Sequence, residues 1–182
     1  MKIRSTSRLA ALLAALSIFA SISAAGDADW PQWRGPRGDG VSAASGLPAT
    51  WGPETNVVWK TPMPHWCGST PVIAGERIFL TSPSEAESEE LVAHAQEVAK
   101  LREAGDERGL FTRGKHPGGQ ELLLLCFSRA SGELLWRRVL ASENELHAKG
   151  NDASPSPVTD GERVWAVTGT GHVLAFDLEG QE

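Results

Sequence analysis

The stretch SPVTDGERVWAVTG, residues 156–169, repeats a phrase that the chain has already used once. The earlier copy, TPVIAGERIFLTS at residues 70–82, lies 86 positions before it and shares Pro-Val, Gly-Glu-Arg and a branched residue followed by an aromatic one. A phrase that recurs at long spacing is typical of a repeated structural unit. In both copies a turn around a glycine separates two β-rich runs, so each copy predicts a β-hairpin.

Further strands extend both hairpins. Residues 121–127 predict a third strand after the first hairpin, and residues 172–176 predict its counterpart after the second. The first copy then turns at Gly132 into a fourth strand, ELLWRRVL at 133–140, whereas the second copy has no such continuation. The run NVVWKTPM at 56–63 matches that fourth strand but has no unit of its own before it. The sequence therefore predicts an orphan strand, one four-stranded unit and three strands of another.

Four-stranded antiparallel units repeated along a chain are the blades of a β-propeller. CFSRASGELLW at 126–136 resembles the tryptophan-docking repeat of quinoprotein alcohol dehydrogenases, with Gly132 and Trp136 at matching positions and Asp177 matching in the second copy. DWPQWRGPRGDG at 29–40 resembles the start of exported PQQ-binding-like propeller proteins. We therefore expect an all-β fold: a partial quinoprotein-like β-propeller of about two blades, the N-terminal fragment of a larger ring, with a helical insert.

The resemblance implies structural docking roles for four residues: Trp59, Trp136, Gly132 and Asp177. An indole at the end of an outer strand can lie flat between blades and bury about 150–250 Å². A glycine allows the neighbouring turn without a Cβ penalty. In such propellers an N-terminal strand completes the last blade, so the orphan strand, at residues 56–61, implies that further C-terminal blades complete the ring.

The first 25 residues have the features of a secretory signal peptide. Three basic residues precede an apolar run at 9–20, and small residues lie before a cleavage position near Ala25. The apolar run is short for a bilayer, and no later stretch approaches the ~20 apolar residues of a membrane span. We expect an exported, soluble protein, periplasmic or secreted, divided into a signal peptide (1–25), an N-terminal extension (26–55) and a partial propeller (56–182).

The charge of the chain restricts its partners. It carries 17 basic and 23 acidic residues, and removal of the predicted signal peptide leaves 14 basic residues and a net charge of −9. Nucleic acids and anionic membrane surfaces both attract basic proteins, so neither is an expected partner.

Connections of very different length follow the predicted strands. Because neighbouring strands run antiparallel, the short turns fall on one face and the long connections, 64–68, 82–119 and 142–156, fall on the other. Residues 82–119 predict a helical insert with a capping box at Ser84, a stop at Gly105 and an apolar face. That face consists of Leu91, Ala95, Val98 and Leu101. The helix either rests on the propeller as a solvated element or acts as a lid or partner-docking element.

Two of these connections lead towards the central channel of the predicted propeller. The channel-facing loop candidates are His65, Trp66, His147, Lys149, Asn151 and Asp152. They could line a small-molecule pocket, although polar loop residues are more often simply solvated. The five histidines show no metal-ligand spacing, so no catalytic residue and no metal ligand is assigned from the sequence.

The two cysteines, Cys67 and Cys126, are predicted to be free. Their strands are not adjacent, and the two residues lie near opposite ends of the predicted blade, so the sulfur atoms are too far apart for a disulfide.

Three functions remain open at this point. The first is an exported, non-catalytic propeller that acts as a binding scaffold for other envelope proteins through its long-loop face, similar to the propeller of the outer-membrane protein assembly machinery. The alternative is part of a PQQ-dependent dehydrogenase, but the chain lacks the adjacent Cys-Cys pair of that family. PQQ and Ca²⁺ would then bind only if missing blades supplied the site. The third is a truncated product without function.

Overall fold

The computed structural model describes residues 29–147 and 150–182. The predicted signal peptide, residues 1–25, and the candidate Lys149 lie outside these described residues. No helix in the described part is long and apolar enough to cross a membrane.

Three antiparallel sheets and two helices make up the described part of the chain. The first sheet contains β1 (Val72–Ala74), β2 (Arg77–Pro83), β3 (Leu122–Ser128) and β4 (Leu134–Ala141), in that order. Between β2 and β3 lie α1 (Ser88–Glu103) and α2 (Glu107–Arg113). The short strands β5 (Leu146–His147) and β6 (Gly150–Asn151) pair with each other. The third sheet contains β7 (Val158–Thr159), β8 (Arg163–Val167) and β9 (Val173–Asp177).

The sheets reproduce the order in which the sequence repeats. Each repeated phrase forms the first two strands of a sheet, and the expected third strand pairs with the second in both. β3 begins and ends one residue later than predicted. Its six residues from 122 to 127 are all buried. A continuous apolar run is what a central strand covered on both faces requires.

One hydrophobic cluster joins the first and third sheets. Phe79 and Leu124 of the first sheet belong to the same buried cluster as Val164 and Phe176 of the third. The two sheets therefore share a core in the manner of neighbouring blades. The all-β fold class with a helical insert is confirmed.

Corresponding positions of the two repeats lie side by side. The backbone N–H of Gly68 donates to Ser154 Oγ at 3.1 Å, and that of Thr70 donates to Ser156 Oγ at 2.8 Å. Each pair is separated by 86 residues, the spacing at which the phrase recurs. Residues just before β1 of the first sheet therefore form hydrogen bonds with the residues at the same repeat positions just before β7 of the third sheet.

The N-terminal segment crosses the innermost strands of both sheets. Trp30 forms an antiparallel bridge with Ile73, with N–H···O distances of 3.1 and 2.8 Å, and the carbonyl of Pro31 accepts from the N–H of Thr159 at 2.9 Å. No pattern in the sequence indicates this placement, because the bridge joins positions more than 40 residues apart.

The predicted orphan strand at 56–61 is not a strand in the structure. A β-ladder requires a neighbouring strand, and none of the described strands pairs with this segment. Its side chains nevertheless attach to the first sheet. The hydroxyl of Thr61 donates to the carbonyl of Gly132 at 2.6 Å.

The helical insert begins later than predicted and contains a second helix. Ser84 is not the N-cap, because its backbone N–H donates to the carbonyl of Glu121 and its carbonyl accepts from Gly119, which extends the pairing of β2 with β3. The capping box is formed instead by Glu87 and Glu90. Helix α2 was not expected; the carboxylate of Asp106 caps it by accepting from the third residue of the helix.

The two ends of α1 differ in how well its apolar face is covered. The helix stops as predicted before Gly105, whose φ of 64° is the left-handed conformation typical of a helix end. Leu101 is buried, whereas Leu91 is 42% exposed and Ala95 is exposed. Only the C-terminal part of the predicted apolar face therefore packs against the rest of the protein.

Both cysteines are free, with Cys126 buried and Cys67 half-buried.

Candidate functional site

Short turns and long connections occupy opposite ends of the sheets. At one end, the backbone N–H of Arg129, in the turn before β4, donates to the carbonyl of Glu76, in the turn before β2, at 2.9 Å. At the other end lie the three long connections, which contact one another. The long-loop face is defined here as residues 64–68, 84–121, 142–147 and 150–156.

Two buried amides hold the long connections together. Asn144 donates through Nδ2 to the carbonyls of Pro117 at 2.9 Å and Gly119 at 3.0 Å. Asn151 donates through Nδ2 to Pro117 at 2.7 Å and to Trp66 at 3.0 Å. A side-chain amide that satisfies two carbonyls substitutes for the missing backbone ladder. Asn151, a candidate from the sequence, is thus a framework residue, and Asn144 is a framework residue that the sequence did not indicate.

Asp152 is buried and orients His147. Its carboxylate accepts from His147 Nε2 at 2.9 Å and from the backbone N–H of Glu145 at 2.8 Å. The side chain of Asp152 is only 5% exposed, whereas that of His147 is 60% exposed. The carboxylate therefore fixes the ring from beneath and leaves the imidazole at the surface.

A cleft of about 460 Å³ lies between the insert and the loop that follows β4. Trp66 forms part of its lining and is held by a hydrogen bond from Nε1 to the carbonyl of His116 at 2.8 Å. Lys115 lies over the Trp66 ring, with Nζ 4.8 Å from the ring centroid. The complete lining is Trp66, Val98, Arg102, Leu110, Phe111, Gly114, Lys115, Leu146, His147 and Gly150.

Of the five candidate residues that the structure describes, two line this cleft, Trp66 and His147. Asn151 and Asp152 lie beneath it as supports. Arg102 and Lys115 from the insert were missed. Their only signal in the sequence is a basic residue near a helix end, which is too common to indicate a site.

His65 belongs to a separate cluster of three imidazoles, the other two of which lie in the insert. Its ring centroid lies 5.8 Å from that of His116, and the ring of His94 meets His116 edge-on at 5.1 Å. His65 Nδ1 is buried without a hydrogen-bond partner. Burial, together with the neighbouring His94 and His65, lowers the pKa of His116 below its usual value.

Trp59 and Trp136 make equivalent contacts with the first and the third sheet. Trp59 donates from Nε1 to the carbonyl of Arg129 at 3.0 Å, and its ring lies over Gly132. Trp136 donates from Nε1 to the carbonyl of Leu178 at 3.0 Å, in the turn that follows β9. Trp59 therefore contacts the last turn of the first sheet, and Trp136 contacts the turn that follows the last strand of the third sheet.

Asp177 shapes the second of these turns. Its carboxylate accepts from the backbone N–H of Glu179 at 3.0 Å and of Gln181 at 2.8 Å. Gly180, in the same turn, lies against the ring of Trp136. The aspartate thereby holds the backbone that this indole covers.

The described residues do not fit a calcium-bound quinone. Among residues 29–147 and 150–182, no group of three or more His, Cys, Asp or Glu side chains could hold a metal ion. Among the described residues that line the cleft, none carries a carboxylate that could serve as a Ca²⁺ ligand.

A protein-family model matches most of the chain. Residues 41–182 match the family model described as outer membrane protein assembly factor BamB, a family of PQQ-binding-like repeats. The comparisons with curated proteins and with solved structures found no match. The matched region covers the first and third sheets, which are therefore a blade and part of a blade of a β-propeller. The short β5–β6 pair lies in the connection between them. The chain belongs to the BamB-like family of PQQ-binding-like β-propeller repeat proteins.

Proposed function

We propose that this chain belongs to an exported, non-catalytic β-propeller that binds other envelope proteins through its long-loop face. The family description, an assembly factor of the outer membrane, supports a role in the envelope and in contacts between proteins. A signal peptide at residues 1–25, with cleavage near Ala25, would account for export.

The observation that carries this proposal is the construction of the long-loop face. Loops that are only solvated need no internal framework, whereas these loops are joined by the buried amides of Asn144 and Asn151. The same long-loop face carries exposed apolar side chains. Phe111 is 73% exposed and Val92 is 58% exposed. Exposed apolar side chains on a fixed surface are typical of a protein-binding site.

The chemistry of the cleft supports a binding role over a catalytic one. Its described lining contains no Ser, Thr, Cys, Asp or Glu side chain. No hydroxyl or thiol in the described lining could act as a nucleophile beside His147.

Photo-crosslinking tests which face binds. A photoreactive phenylalanine analogue is placed at Phe111 or Gln120 on the long-loop face, and at Glu133 or Glu162 in the short turns as controls. All four side chains are exposed. After irradiation of cells of the source organism, we expect adducts with other envelope proteins from the first two positions only. Equal adducts from both faces, or none from the long-loop positions, would contradict the proposal.

A cofactor titration tests the non-catalytic part of the proposal. The processed protein is titrated with PQQ in the presence of Ca²⁺, and an alcohol and an electron-accepting dye are then added. We expect neither saturable quinone binding nor reduction of the dye. If both occur, the protein is a dehydrogenase and the scaffold proposal is wrong.

A further inference from the structure

The cleft is positively charged within a negatively charged chain. Arg102 and Lys115 are both exposed and both line it. No Asp or Glu is part of the described lining. Among the described ion pairs, none involves Arg102 or Lys115. The two cations are therefore available to a carboxylate from outside, although the chain after the predicted signal peptide has a net charge of −9.

The apolar part of the cleft continues along α1. Val98 and Arg102 line the cleft, and Leu91 and Ala95 lie on the same stripe of the helix, because positions 91, 95, 98 and 102 follow the helical repeat. The stripe extends over about 16 Å at 1.5 Å per residue. Such a length accommodates about five residues of extended chain at about 3.3 Å each.

The structure points to a ligand that is both acidic and apolar. Leu110 and Phe111 offer an apolar wall, and Trp66 offers an aromatic surface already held in place by its hydrogen bond. We propose that the cleft binds a short acidic segment of a partner protein, with one or two aromatic or aliphatic side chains as anchors. This inference rests on the proposed function and specifies the chemistry of the partner.

Each part of the segment has a counterpart in the cleft. The anchor side chains pack against the apolar wall, which removes apolar surface from water. The carboxylates of the segment pair with Lys115 and Arg102, and the guanidinium of Arg102 can hold one carboxylate through two hydrogen bonds. Because the ion pairs are exposed to solvent, binding should weaken as the salt concentration rises.

Fluorescence anisotropy with defined peptides tests this inference. The probe is a fluorescein-labelled dodecapeptide that contains four Glu residues around one Phe and one Leu. One control peptide has Gln in place of every Glu, and the other has Ser in place of Phe and Leu. We expect the processed full-length chain to bind the probe saturably and both controls at least 10-fold more weakly. Raising NaCl from about 50 to about 300 mM should weaken probe binding several-fold.

Matched variants assign the binding to the cleft. The double variant R102Q/K115Q should lose at least 10-fold in affinity for the probe, and F111S several-fold. The double variant K60Q/R163Q removes the same charge at exposed positions outside the cleft and should bind as the wild type does. All these side chains are exposed, and a thermal melt of each variant checks that the fold is kept. Equal affinities of the two double variants would overturn the inference.

The remaining outcomes separate the two proposals. If the probe does not bind while the crosslinks from Phe111 and Gln120 persist, the acidic-segment inference is wrong and the scaffold proposal stands. If those crosslinks are absent, the scaffold proposal itself fails. If dodecanoate binds with dependence on Arg102 and Lys115 and no peptide does, the cleft takes a small amphipathic anion, which also overturns the inference.

Discussion

Two glycines allow an indole ring to lie directly against the backbone of the next blade. Gly132 has a φ of 72° and lies under Trp59, and Gly180 has a φ of 81° and lies under Trp136. A Cβ at position 180 would lie 2.9 Å from a ring carbon of Trp136, and one at position 132 would lie closer still to Trp59. A side chain at either position is therefore opposed by both the backbone conformation and the ring.

Replacement of Gly132 by Ala tests this contact. We expect G132A to lose about 2–3 kcal/mol of unfolding free energy, because a left-handed conformation costs an L-residue about 1 kcal/mol and displacement of the ring adds to that cost. The control is G161A, which has a φ of 92° and open space around the added Cβ. It should lose only about 1 kcal/mol. Urea unfolding measures both losses, and equal losses would show that the indole contact is not required.

The thiol of Cys126 should not react in the folded protein. Its side chain is fully buried, and burial raises the pKa of the thiol to about 12. Cys67 is half-buried, and burial raises its pKa as well. We expect iodoacetamide at pH 8 to leave Cys126 unmodified until the protein is unfolded, when both cysteines react. Peptide mass spectrometry measures the modification, and an unfolded protein that takes up no label without reductant would instead indicate a disulfide.

At the scale of elements, the sequence predicted structure wherever the signal was local. β3 was predicted to within one residue because six apolar residues stand between turn residues. The prediction of an orphan strand at 56–61 is wrong because a strand depends on a neighbouring strand that its own sequence does not specify. The prediction of Ser84 as the helix N-cap is wrong because Ser84 forms hydrogen bonds with Glu121, which lies 37 positions further along the chain.

The cleft was less predictable than the blades for the same reason. It arises where the insert meets a loop more than 30 residues later, and sequence spacing does not indicate that approach. The sequence correctly indicated that the long connections share one face. It could not distinguish Asn151, which supports the cleft from below, from Trp66, which lines it. That distinction depends on which way each side chain points.

Loss of the Asn144 amide should loosen the insert. In N144A, the carbonyl of Gly119 loses the donor that Asn144 supplies, whereas the carbonyl of Pro117 keeps the donor of Asn151. A buried polar group left unpaired costs about 1–3 kcal/mol. We expect trypsin to cleave within residues 106–121 several-fold faster than in the wild type. The control Q120A changes an exposed amide in the same connection and should leave the rate unchanged. A cleavage rate of N144A equal to that of Q120A would show that Asn144 does not hold the insert.

The histidine cluster should make the protein less stable in mild acid. The folded pKa of His116 is lowered by burial first and by His94 and His65 second, while Glu90 opposes the shift. The unfolded protein therefore binds the proton more readily, so the stability contribution is complete above about pH 6.5 and declines as the pH falls towards the folded pKa.

The variant H116N isolates this contribution. Asn can still accept the hydrogen bond that the backbone N–H of Gly118 donates to His116 Nδ1 at 3.1 Å, but it does not titrate. We expect the urea midpoint of the wild type to fall more between pH 7.5 and pH 5.5 than that of H116N. An identical fall in both proteins would assign the pH dependence to other groups.

At the scale of the whole molecule, the described blades form one unit. The shared core extends from Phe79 in the first sheet to Phe176 in the third, and Trp136 packs against it from β4, its ring centroid 5.8 Å from that of Phe79. The opposite face of the first sheet has its own cluster around Leu125. That cluster lies beside a second cavity, which residues 61–64 help to line. Each face of the first sheet therefore has an apolar surface, as a blade between two neighbours requires.

Truncation of Phe176 tests whether these sheets unfold together. F176A removes a 3%-exposed ring from the shared core and should cost about 3–5 kcal/mol. If the sheets unfold as one, amide exchange should accelerate equally at Leu124 in β3 and at Val164 in β8, by roughly 100-fold or more at 1.4 kcal/mol per tenfold. The control V173A changes a 68%-exposed side chain in the same strand and should alter exchange by less than about threefold. Acceleration confined to Val164 would show that each blade opens independently and that the shared core does not couple them.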